Sequence, residues 1–163
     1  MEKNVAETAL EALRSRSLTL ATAESCTGGL VAKLITDVAG ASDVFEGGVV
    51  SYSNKVKAAA LGVSEETLVR FGAVSENTAR EMAKGAASRL GADVAVSTTG
   101  IAGPGGGTRE KPVGTVCFGV ASPLGVRSEA CHFDPTLTRD EIRHLSAEHA
   151  LELVIAECGN IGE

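Results

Sequence analysis

The chain of 163 residues is long enough for one domain with a hydrophobic core and too short for two domains of ordinary size. Apolar residues make up 44% and charged residues 22%, which is the balance of a globular protein rather than a disordered one. With 21 acidic against 15 basic residues, and with only four Phe and one Tyr, neither a nucleic-acid backbone nor a row of stacked bases is an expected ligand.

The first half of the chain alternates strand patterns with helical patterns. The predicted elements are a helix over 2–16, a strand over 18–22, a helix from about 30 to 38, a strand over 44–52 and a helix from 54 to about 61. Gly47-Gly48 interrupts the second strand, where a bulge is expected. Asn54 is expected to cap the short helix, because its side chain can accept a hydrogen bond from the first turn.

The second half begins with helices and ends with a hairpin and a long helix. Ser64 and Ser75 are expected to cap two helices, the second of which ends near Leu90. Its inner face consists of Ala79, Met82, Ala83 and Ala86. The remaining elements are a strand over 93–98, a glycine-rich loop over 101–111, hairpin strands over 112–121 and 126–133, and a helix from 138 to about 158. Thr138 and Glu141 match a capping box at the start of that helix.

Strands that alternate with helices early, followed by a late hairpin, favour an α/β fold. We expect a three-layer α/β/α sandwich with a mixed, mostly parallel β-sheet. Because no linker, internal repeat or low-complexity tract interrupts the sequence, residues 1–163 are predicted to form a single domain. The shortage of aromatic residues means that the core must consist mainly of Ala, Val, Leu and Ile.

The four cysteines, at positions 26, 117, 131 and 158, are too widely spaced for a zinc motif or a disulfide framework. We expect reduced thiols in a cytoplasmic protein that has neither a metal site nor a cofactor. No apolar run approaches the roughly 18 residues of a membrane span, and residues 1–4 lack the apolar stretch of a signal peptide. His149 is expected to border the packed face of the last helix and His144 to be exposed.

Three loops follow predicted strands, which is where ligands bind in open α/β sheets. The first places Ser25 between a strand and a helix N-terminus, where unpaired N–H groups can stabilise an alkoxide or an oxyanion. The alternative is that Ser25 or Thr27 only caps the helix. Cys26 is a rival nucleophile, although all three histidines lie late in the chain and none is an evident partner.

The second loop contains Tyr52 and leads to Lys57. If Asn54 caps the helix, Lys57 is its third residue, where the positive end of the helix dipole and partial burial lower the pKa of a lysine. A lysine that is neutral near pH 7 can act as a general base. The alternatives are a solvated lysine, and a tyrosine that packs its ring while its hydroxyl reaches the surface.

The third loop places consecutive hydroxyl side chains, including Thr99, before Gly100 and the glycine-rich segment with Gly103. Its N–H groups can bind a phosphate or a carboxylate, although the spacing matches neither a Walker loop nor a Rossmann fingerprint. A flexible connection to the hairpin is the alternative. Arg139 and Arg143 lie one turn apart on the last helix, so either an anion lies between them or they form a solvated basic face.

Several motifs occur in a fixed order along the chain. They are Ala-Glu-Ser-Cys-Thr-Gly-Gly at 23–29, Gly-Val-Val-Ser-Tyr-Ser-Asn at 48–54, Lys57, Leu-Gly-Val at 61–63, Gly-Ala-Val-Ser at 72–75 and Thr-Gly-Ile-Ala-Gly-Pro-Gly-Gly at 99–106. Together they resemble the CinA C-terminal domain family, whose active members are nicotinamide-nucleotide amidases. The resemblance covers residues 5–158 and indicates the stand-alone form, since little room remains for the N-terminal nucleotide-pyrophosphatase-like domain of longer relatives.

The resemblance implies an α/β/α sandwich that hydrolyses the carboxamide of nicotinamide mononucleotide to nicotinate mononucleotide and ammonia. This reaction recycles pyridine nucleotides toward NAD and uses no metal. By the same resemblance, Ser25 is the nucleophile, assisted by Lys57 and Tyr52. Substrate contacts are expected from Cys26, Thr27, Gly28, Thr99, Gly100, Gly103 and Arg139. Members of the family are usually dimeric or larger, so a homodimer or higher homo-oligomer is expected.

These expectations lead to a hypothesis for the mechanism. Lys57, directly or through Tyr52, takes the proton from Ser25, and N–H groups of residues 26–28 hold the oxyanion. The phosphate of the nucleotide meets Arg139 and the glycine-rich loop. Two alternatives remain open: a catalytically silent relative that binds nucleotides or regulates, and a cysteine amidohydrolase that uses Cys26.

Overall fold

The computed structural model describes residues 2–162, in which five strands form one sheet between two layers of helices. The elements are α1 (Val5–Ser15), β1 (Leu20–Glu24), α2 (Leu30–Thr36), β2 (Phe45–Val50), α3 (Asn54–Leu61), α4 (Glu65–Phe71), α5 (Glu76–Leu90), β3 (Val94–Gly100), β4 (Thr115–Ser122), β5 (Gly125–His132) and α6 (Arg139–Ile161). A short 3₁₀ turn over Ala41–Asp43 lies between α2 and β2.

The strand order in the sheet is β2-β1-β3-β4-β5. β1 pairs in parallel with both β2 and β3, whereas β4 is antiparallel to β3 and to β5. Of the five strands described, only β4 runs against the others, so the predicted mixed, mostly parallel sheet is confirmed. The carboxyl ends of β1, β2 and β3 lie at the same edge of the sheet, and the loops that follow these strands meet there.

Helices cover both faces of the sheet and complete the three predicted layers. α1, α2 and α6 pack on one face, and α3, α4 and α5 form the layer on the other. The core under α6 contains large aliphatic side chains and one phenyl ring, including Leu10, Leu13, Leu20, Val96, Phe118 and Leu151. The core under α5 is built mostly of alanine, with Ala21, Ala23, Ala83, Ala86, Ala95 and Ala121 beside Met82. The aliphatic character expected from the composition thus takes a different form on each face.

The alanine-rich face brings α5 very close to its neighbours. A Cβ atom at Gly119 of β4 would lie 2.2 Å from the carbonyl oxygen of Ala79, and one at Gly85 would lie 1.9 Å from that of Leu61. Both distances are far below van der Waals contact, and the atoms that would be struck belong to the backbone. Only glycine fits at these two positions, and the carboxyl end of α3 is thereby held against α5.

One predicted boundary near the candidate site differs from the structure. The N-cap of α3 is Ser53, whose side chain accepts a hydrogen bond from the N–H group of Val56 at 3.2 Å, and Asn54 is the first helical residue. Serine and asparagine are equally good caps, so the sequence does not separate the two positions. Lys57 therefore occupies the fourth helical position rather than the third. The other predicted caps, Ser64, Ser75 and Thr138, are confirmed.

α6 is the longest helix and ends slightly later than predicted, at Ile161. Its capping box is complete: Glu141 N–H donates to the Thr138 hydroxyl at 3.2 Å, and Thr138 N–H donates to the Glu141 carboxylate at 2.7 Å. Within residues 2–162, neither α6 nor any other helix combines the length and the apolar character that crossing a membrane requires.

Candidate functional site

The turn after β1 is organised by a buried carboxylate that the sequence analysis did not single out. Glu24 accepts hydrogen bonds from the N–H groups of Val31 (2.8 Å) and Ala32 (3.0 Å), and from the hydroxyl of Thr27 (2.6 Å). The carboxylate thus satisfies N–H groups of the first turn of α2 that otherwise lack a partner. Neither Ser25 nor Thr27 is the cap of this helix, so that alternative reading of Ser25 does not hold.

Ser25 is fixed at the carboxyl edge of the sheet. Its N–H group donates to the carbonyl of Thr98 on β3 at 3.0 Å, and Ser51 N–H donates to the carbonyl of Glu24 at 2.8 Å. The end of β1 is therefore tied to both neighbouring strands. Ser25 is 8% exposed, and its Oγ lies 3.0 Å from Nζ of Lys57. The structure brings together these two predicted residues, which are separated by 32 positions in the sequence.

Lys57 is a buried lysine whose amine contacts neutral oxygens among the described residues. It is 1% exposed, and Nζ also donates to the carbonyl oxygens of Ser51 (2.9 Å) and Tyr52 (3.3 Å). No carboxylate of residues 2–162 forms a salt bridge with it. Desolvation by burial lowers the pKa of Lys57, which is the direction the sequence predicted. A lysine with a lowered pKa can accept a proton from a hydroxyl at this distance.

Arg143 supports the turn after β1 from α6. Its Nε donates to the carbonyl of Cys26 at 3.1 Å, and its Nη2 donates to the carbonyl of Thr27 at 3.0 Å. Arg139, one turn earlier, donates instead to the carbonyl of Gly103 at 2.8 Å. Each guanidinium therefore has its own oxygen partners, and the close spacing of the two cations does not require an anion between them.

One backbone donor beside Ser25 is a candidate for contact with a ligand. Within the described residues, the N–H groups of Cys26 and Thr27 have no hydrogen-bond acceptor, but Thr27 is fully buried and only Cys26 retains some exposure. Gly28 N–H donates to the carbonyl of Ser25 at 3.0 Å. Of the predicted oxyanion donors, only the N–H group of Cys26 therefore remains. Gly28 has another role, because its φ of 59° is strained for other residues and a Cβ there would lie 3.3 Å from Nη2 of Arg143.

The thiol of Cys26 is poorly suited to be a nucleophile. Cys26 is buried, and this burial raises the pKa of its thiol to about 12. The thiolate is the reactive form of cysteine, and very little of it forms near neutral pH at such a pKa. Ser25, in contrast, contacts the amine of Lys57 and is therefore the better candidate of the two.

A cavity of about 280 Å³ lies at this edge of the sheet, close to the lower limit for small-molecule sites. The predicted site residues that line it are Ser25, Cys26, Tyr52, Lys57, Thr99, Gly100, Gly103 and Arg139. Thr27 and Gly28 are not among its lining residues. Thr27 is fully buried, and its hydroxyl lies between the side chains of Glu24 and Thr98, at 2.6 and 2.8 Å. Its side chain therefore supports the turn and does not reach the cavity.

The loop after β3 forms another wall of this cavity. The hydroxyl of Thr99 donates to the carbonyl of Ala73 at 2.7 Å and joins this loop to the segment before α5. Gly103 has a φ of 75°, and a Cβ there would lie 2.5 Å from the side chain of Val113. The hydroxyl of Thr99 is thus already engaged, and the backbone at Gly103 leaves no space for a side chain.

Tyr52 contacts the site through two different groups. Its carbonyl accepts the hydrogen bond from Lys57, while its ring is exposed, with 62% of the residue accessible. The phenol oxygen accepts a hydrogen bond from Nη2 of Arg139 at 3.1 Å. Among the described residues, the phenol has no hydrogen bond to Ser25 or Lys57, so a proton path from Ser25 to Lys57 is direct in this geometry.

Several known proteins have sequences similar to that of this chain. The family described as CinA C-terminal domain matches residues 2–158. A CinA-like protein of Chloroherpeton thalassium is 61% identical over 122 residues, which are 74% of this chain and 29% of the relative. A putative competence-damage inducible protein of Symbiobacterium thermophilum is 54% identical over 153 residues, which are 87% of this chain and 35% of the relative. The chain spans about a third of the length of these curated relatives.

Solved structures share the fold over almost the whole chain. The competence/damage inducible protein CihA from Agrobacterium tumefaciens has a TM-score of 0.89 and 44% identity, covering 96% of this chain and 98% of that one. A CinA superfamily protein from Escherichia coli has a TM-score of 0.88 and 33% identity, covering 93% and 88%. Since the family match extends over residues 2–158 and the relatives are this similar, the chain belongs to the CinA C-terminal domain family.

Proposed function

We propose that this chain hydrolyses the carboxamide of nicotinamide mononucleotide to nicotinate mononucleotide and ammonia, with Ser25 as the nucleophile and Lys57 as the general base. The observation that carries the proposal is the 3.0 Å contact between Ser25 Oγ and Nζ of Lys57, which is buried without an acidic partner among residues 2–162. The choice of substrate rests on the resemblance to the nicotinamide-nucleotide amidases of this family.

The first half of the reaction forms a covalent intermediate. Neutral Lys57 takes the hydroxyl proton of Ser25 as Oγ attacks the carboxamide carbon, and the carbonyl oxygen becomes negatively charged. The N–H group of Cys26, which has no hydrogen-bond acceptor within residues 2–162, stabilises this oxyanion. Protonated Lys57 then gives its proton to the amide nitrogen. The carbon–nitrogen bond breaks, ammonia leaves, and an ester of Ser25 remains.

The second half returns the enzyme to its starting state. Lys57, neutral again, removes a proton from water, whose oxygen attacks the ester carbon. The bond to Ser25 Oγ breaks, Oγ takes the proton back from Lys57, and nicotinate mononucleotide is released. One amine thus serves both halves. A single general base within reach of both the nucleophile and the leaving group is sufficient for this sequence of steps.

Arg139 is the proposed partner of the nucleotide phosphate. It lines the cavity, is exposed, and forms its hydrogen bonds with neutral oxygens of Gly103 and Tyr52. A phosphate can replace either weak partner with a charge-assisted bidentate contact. In this arrangement Tyr52 positions Arg139 through its hydroxyl, and its backbone carbonyl positions Lys57.

Ammonia release tests the proposal. Nicotinamide mononucleotide, nicotinamide riboside and free nicotinamide are compared at equal concentration with the purified chain. We expect the mononucleotide to be the best substrate, and Ser25→Ala to lower its turnover by roughly 10⁴–10⁶-fold. Ser88→Ala, an exposed serine on α5, is the matched control and should keep full activity.

Each other outcome selects an alternative. Binding of the mononucleotide without ammonia release supports the catalytically silent relative. Full activity of Ser25→Ala removes Ser25 from the mechanism. If activity is lost in Cys26→Ala as completely as in Ser25→Ala, and both variants remain folded, the cysteine amidohydrolase is favoured.

A further inference from the structure

A second polar cluster lies on the α6 side of the sheet, at β5, the last strand in the sheet order. Glu129 and Cys131 are alternate residues of β5, so both side chains point to the same face. Their partners in register on β4 are Phe118 and Val116, which belong to the core under α6. The side chain of His149, on α6, contacts both of these β5 side chains. None of these residues takes part in the proposed amidase reaction.

The three side chains converge on a small volume. Cys131 Sγ lies 3.4 Å from Nε2 of His149 and 3.7 Å from Oε1 of Glu129, and Nε2 and Oε1 are in direct contact. In a tetrahedral zinc site the metal–ligand bonds place neighbouring ligand atoms about 3.3–3.6 Å apart. The two sulfur distances are close to that geometry. The contact between Nε2 and Oε1 is shorter than this spacing, and the Glu129 side chain, which is 45% exposed, can move outward to lengthen it.

The histidine is oriented by two further contacts. Its other ring nitrogen, Nδ1, lies 3.2 Å from Oε2 of Glu152, one turn along α6. The ring of Phe118 packs edge-to-face on the imidazole, with the two ring centres 4.8 Å apart. A carboxylate on the second nitrogen is the usual support of a metal-bound histidine, because it fixes the ring and makes Nε2 more basic. The cluster therefore has both the ligand atoms and the outer support of a metal site.

We propose that Glu129, Cys131 and His149 bind a divalent transition-metal ion, with Zn²⁺ as the preferred ion. One thiolate sulfur, one imidazole nitrogen and one carboxylate oxygen form a ligand set that suits zinc, while Mg²⁺ and Ca²⁺ prefer oxygen ligands alone. Binding releases the thiol proton of Cys131 to solvent, and water completes the coordination. The ion joins β5 to α6 and so stabilises an edge strand.

The spacing of these ligands explains why the sequence did not indicate the site. The Glu-x-Cys pair on β5 is only a strand alternation, and His149 follows Cys131 after 18 positions that include the turn to α6. Zinc motifs recognisable in sequence have pairs of ligands separated by two to five intervening residues, whereas Glu129 and Cys131 have only one between them. Here the third ligand is supplied by packing of a helix on a strand, which no local pattern encodes.

The test uses the untagged, reduced chain after removal of metals with a chelator. Titration with Co²⁺ should produce one equivalent of binding with a thiolate-to-cobalt charge-transfer band, and Zn²⁺ should displace the cobalt. Cys131→Ser should abolish the band and weaken zinc binding by more than about 100-fold. Glu152→Gln, which removes the support of His149, should weaken it by roughly 10–100-fold. His144→Gln and Glu148→Gln, exposed residues of the same helix, are the matched controls.

Three outcomes overturn the proposal: no charge-transfer band in the unaltered chain, a band that survives in Cys131→Ser, or equal weakening in the control variants. Each would leave the cluster as hydrogen-bonded side chains without a metal. If Cys131→Ser does not fold, alkylation of the unaltered chain decides the question. Peptide mapping should show that Zn²⁺ protects Cys131 from alkylation, and unchanged alkylation of Cys131 with zinc present would contradict the site.

Discussion

The Ser25–Lys57 pair and the Glu129–Cys131–His149 cluster lie on the same sheet and have opposite electrostatic surroundings. Lys57 is buried among neutral oxygens of Ser25, Ser51 and Tyr52. The cluster at β5 is half-exposed and has two carboxylates around one imidazole. At the Ser25–Lys57 pair, loss of solvent lowers the pKa of the lysine amine. At the cluster on β5, the accumulated negative charge favours the binding of a cation. The same fold thus provides different surroundings for the proposed proton transfer and for the proposed ion binding.

Removing the amine should produce the largest effect in this comparison. Lys57→Met is expected to lower the turnover of nicotinamide mononucleotide by roughly 10²–10⁴-fold, because general acid–base assistance is lost while the buried volume is kept. Ammonia release measures the effect, and Lys55→Met, an exposed residue of the same helix, should remain fully active. Equal activity of the two variants would mean that burial of Lys57 has a purely structural role.

The support of the turn by Arg143 should have the next largest effect. Arg143→Gln removes charge-assisted hydrogen bonds to the carbonyls of Cys26 and Thr27, each worth about 1.5–3 kcal/mol. We expect kcat to fall by roughly 10–100-fold with little change in KM, because the N–H donor of Cys26 next to Ser25 loses its orientation. Arg139→Gln provides the contrast, with KM raised more than kcat is lowered. A rise in KM alone for Arg143→Gln would place this residue at the substrate instead.

The stability of the chain should report the protonation of Lys57. In the unfolded chain its pKa is about 10.4, and in the folded chain burial lowers it, so the unfolded state binds more protons between the two values. The free energy of unfolding therefore rises with pH across this interval and is lowest below the folded-state pKa. Lys57→Met lacks this contribution.

Urea denaturation from about pH 6 to about pH 10 measures this effect. The stability of the unaltered chain minus that of Lys57→Met should increase toward high pH, while the same difference for Lys55→Met should stay flat. A flat difference for Lys57→Met would show that its pKa is the same in both states.

The smallest expected effect belongs to Tyr52. Tyr52→Phe removes only the hydrogen bond between the phenol and Arg139, since the carbonyl that contacts Lys57 is retained. We expect kcat to change by less than about threefold and KM to rise by less than about tenfold, as for the loss of one solvent-exposed hydrogen bond. A loss of kcat as large as that of Lys57→Met would restore the phenol to the proton path between Ser25 and Lys57.

The layers of the fold could be predicted because their signals are local. Alanine and methionine at helical spacing after Ser75 gave the inner face of α5, and the loops after three strands gave the edge at which Ser25 and Lys57 meet. Because these strands are parallel, their carboxyl ends lie at one edge of the sheet and the loops after them are neighbours. For this reason sequence patterns and one rule of topology made Ser25 and Lys57 candidates, while their roles as nucleophile and base came from the family resemblance.

The supports of the site could not be predicted in the same way. Arg143 reaches a turn 116 and 117 positions earlier in the sequence, and its contacts depend on how α6 packs beside α2. Glu24 ends a buried strand, and a buried carboxylate needs partners, so its position was a usable signal. Its actual donors lie on α2 and follow from the path of the turn. Long-range hydrogen bonds of this kind are not reflected in any periodic pattern of the sequence.

The glycine at position 85 has a consequence for how this protein can change during evolution. Its missing side chain lets the backbone of α5 touch the end of α3, one turn after Lys57. Any side chain there must displace α3, and with it the amine that faces Ser25. A substitution at this position would therefore reduce the proposed activity even though every residue that lines the cavity is unchanged.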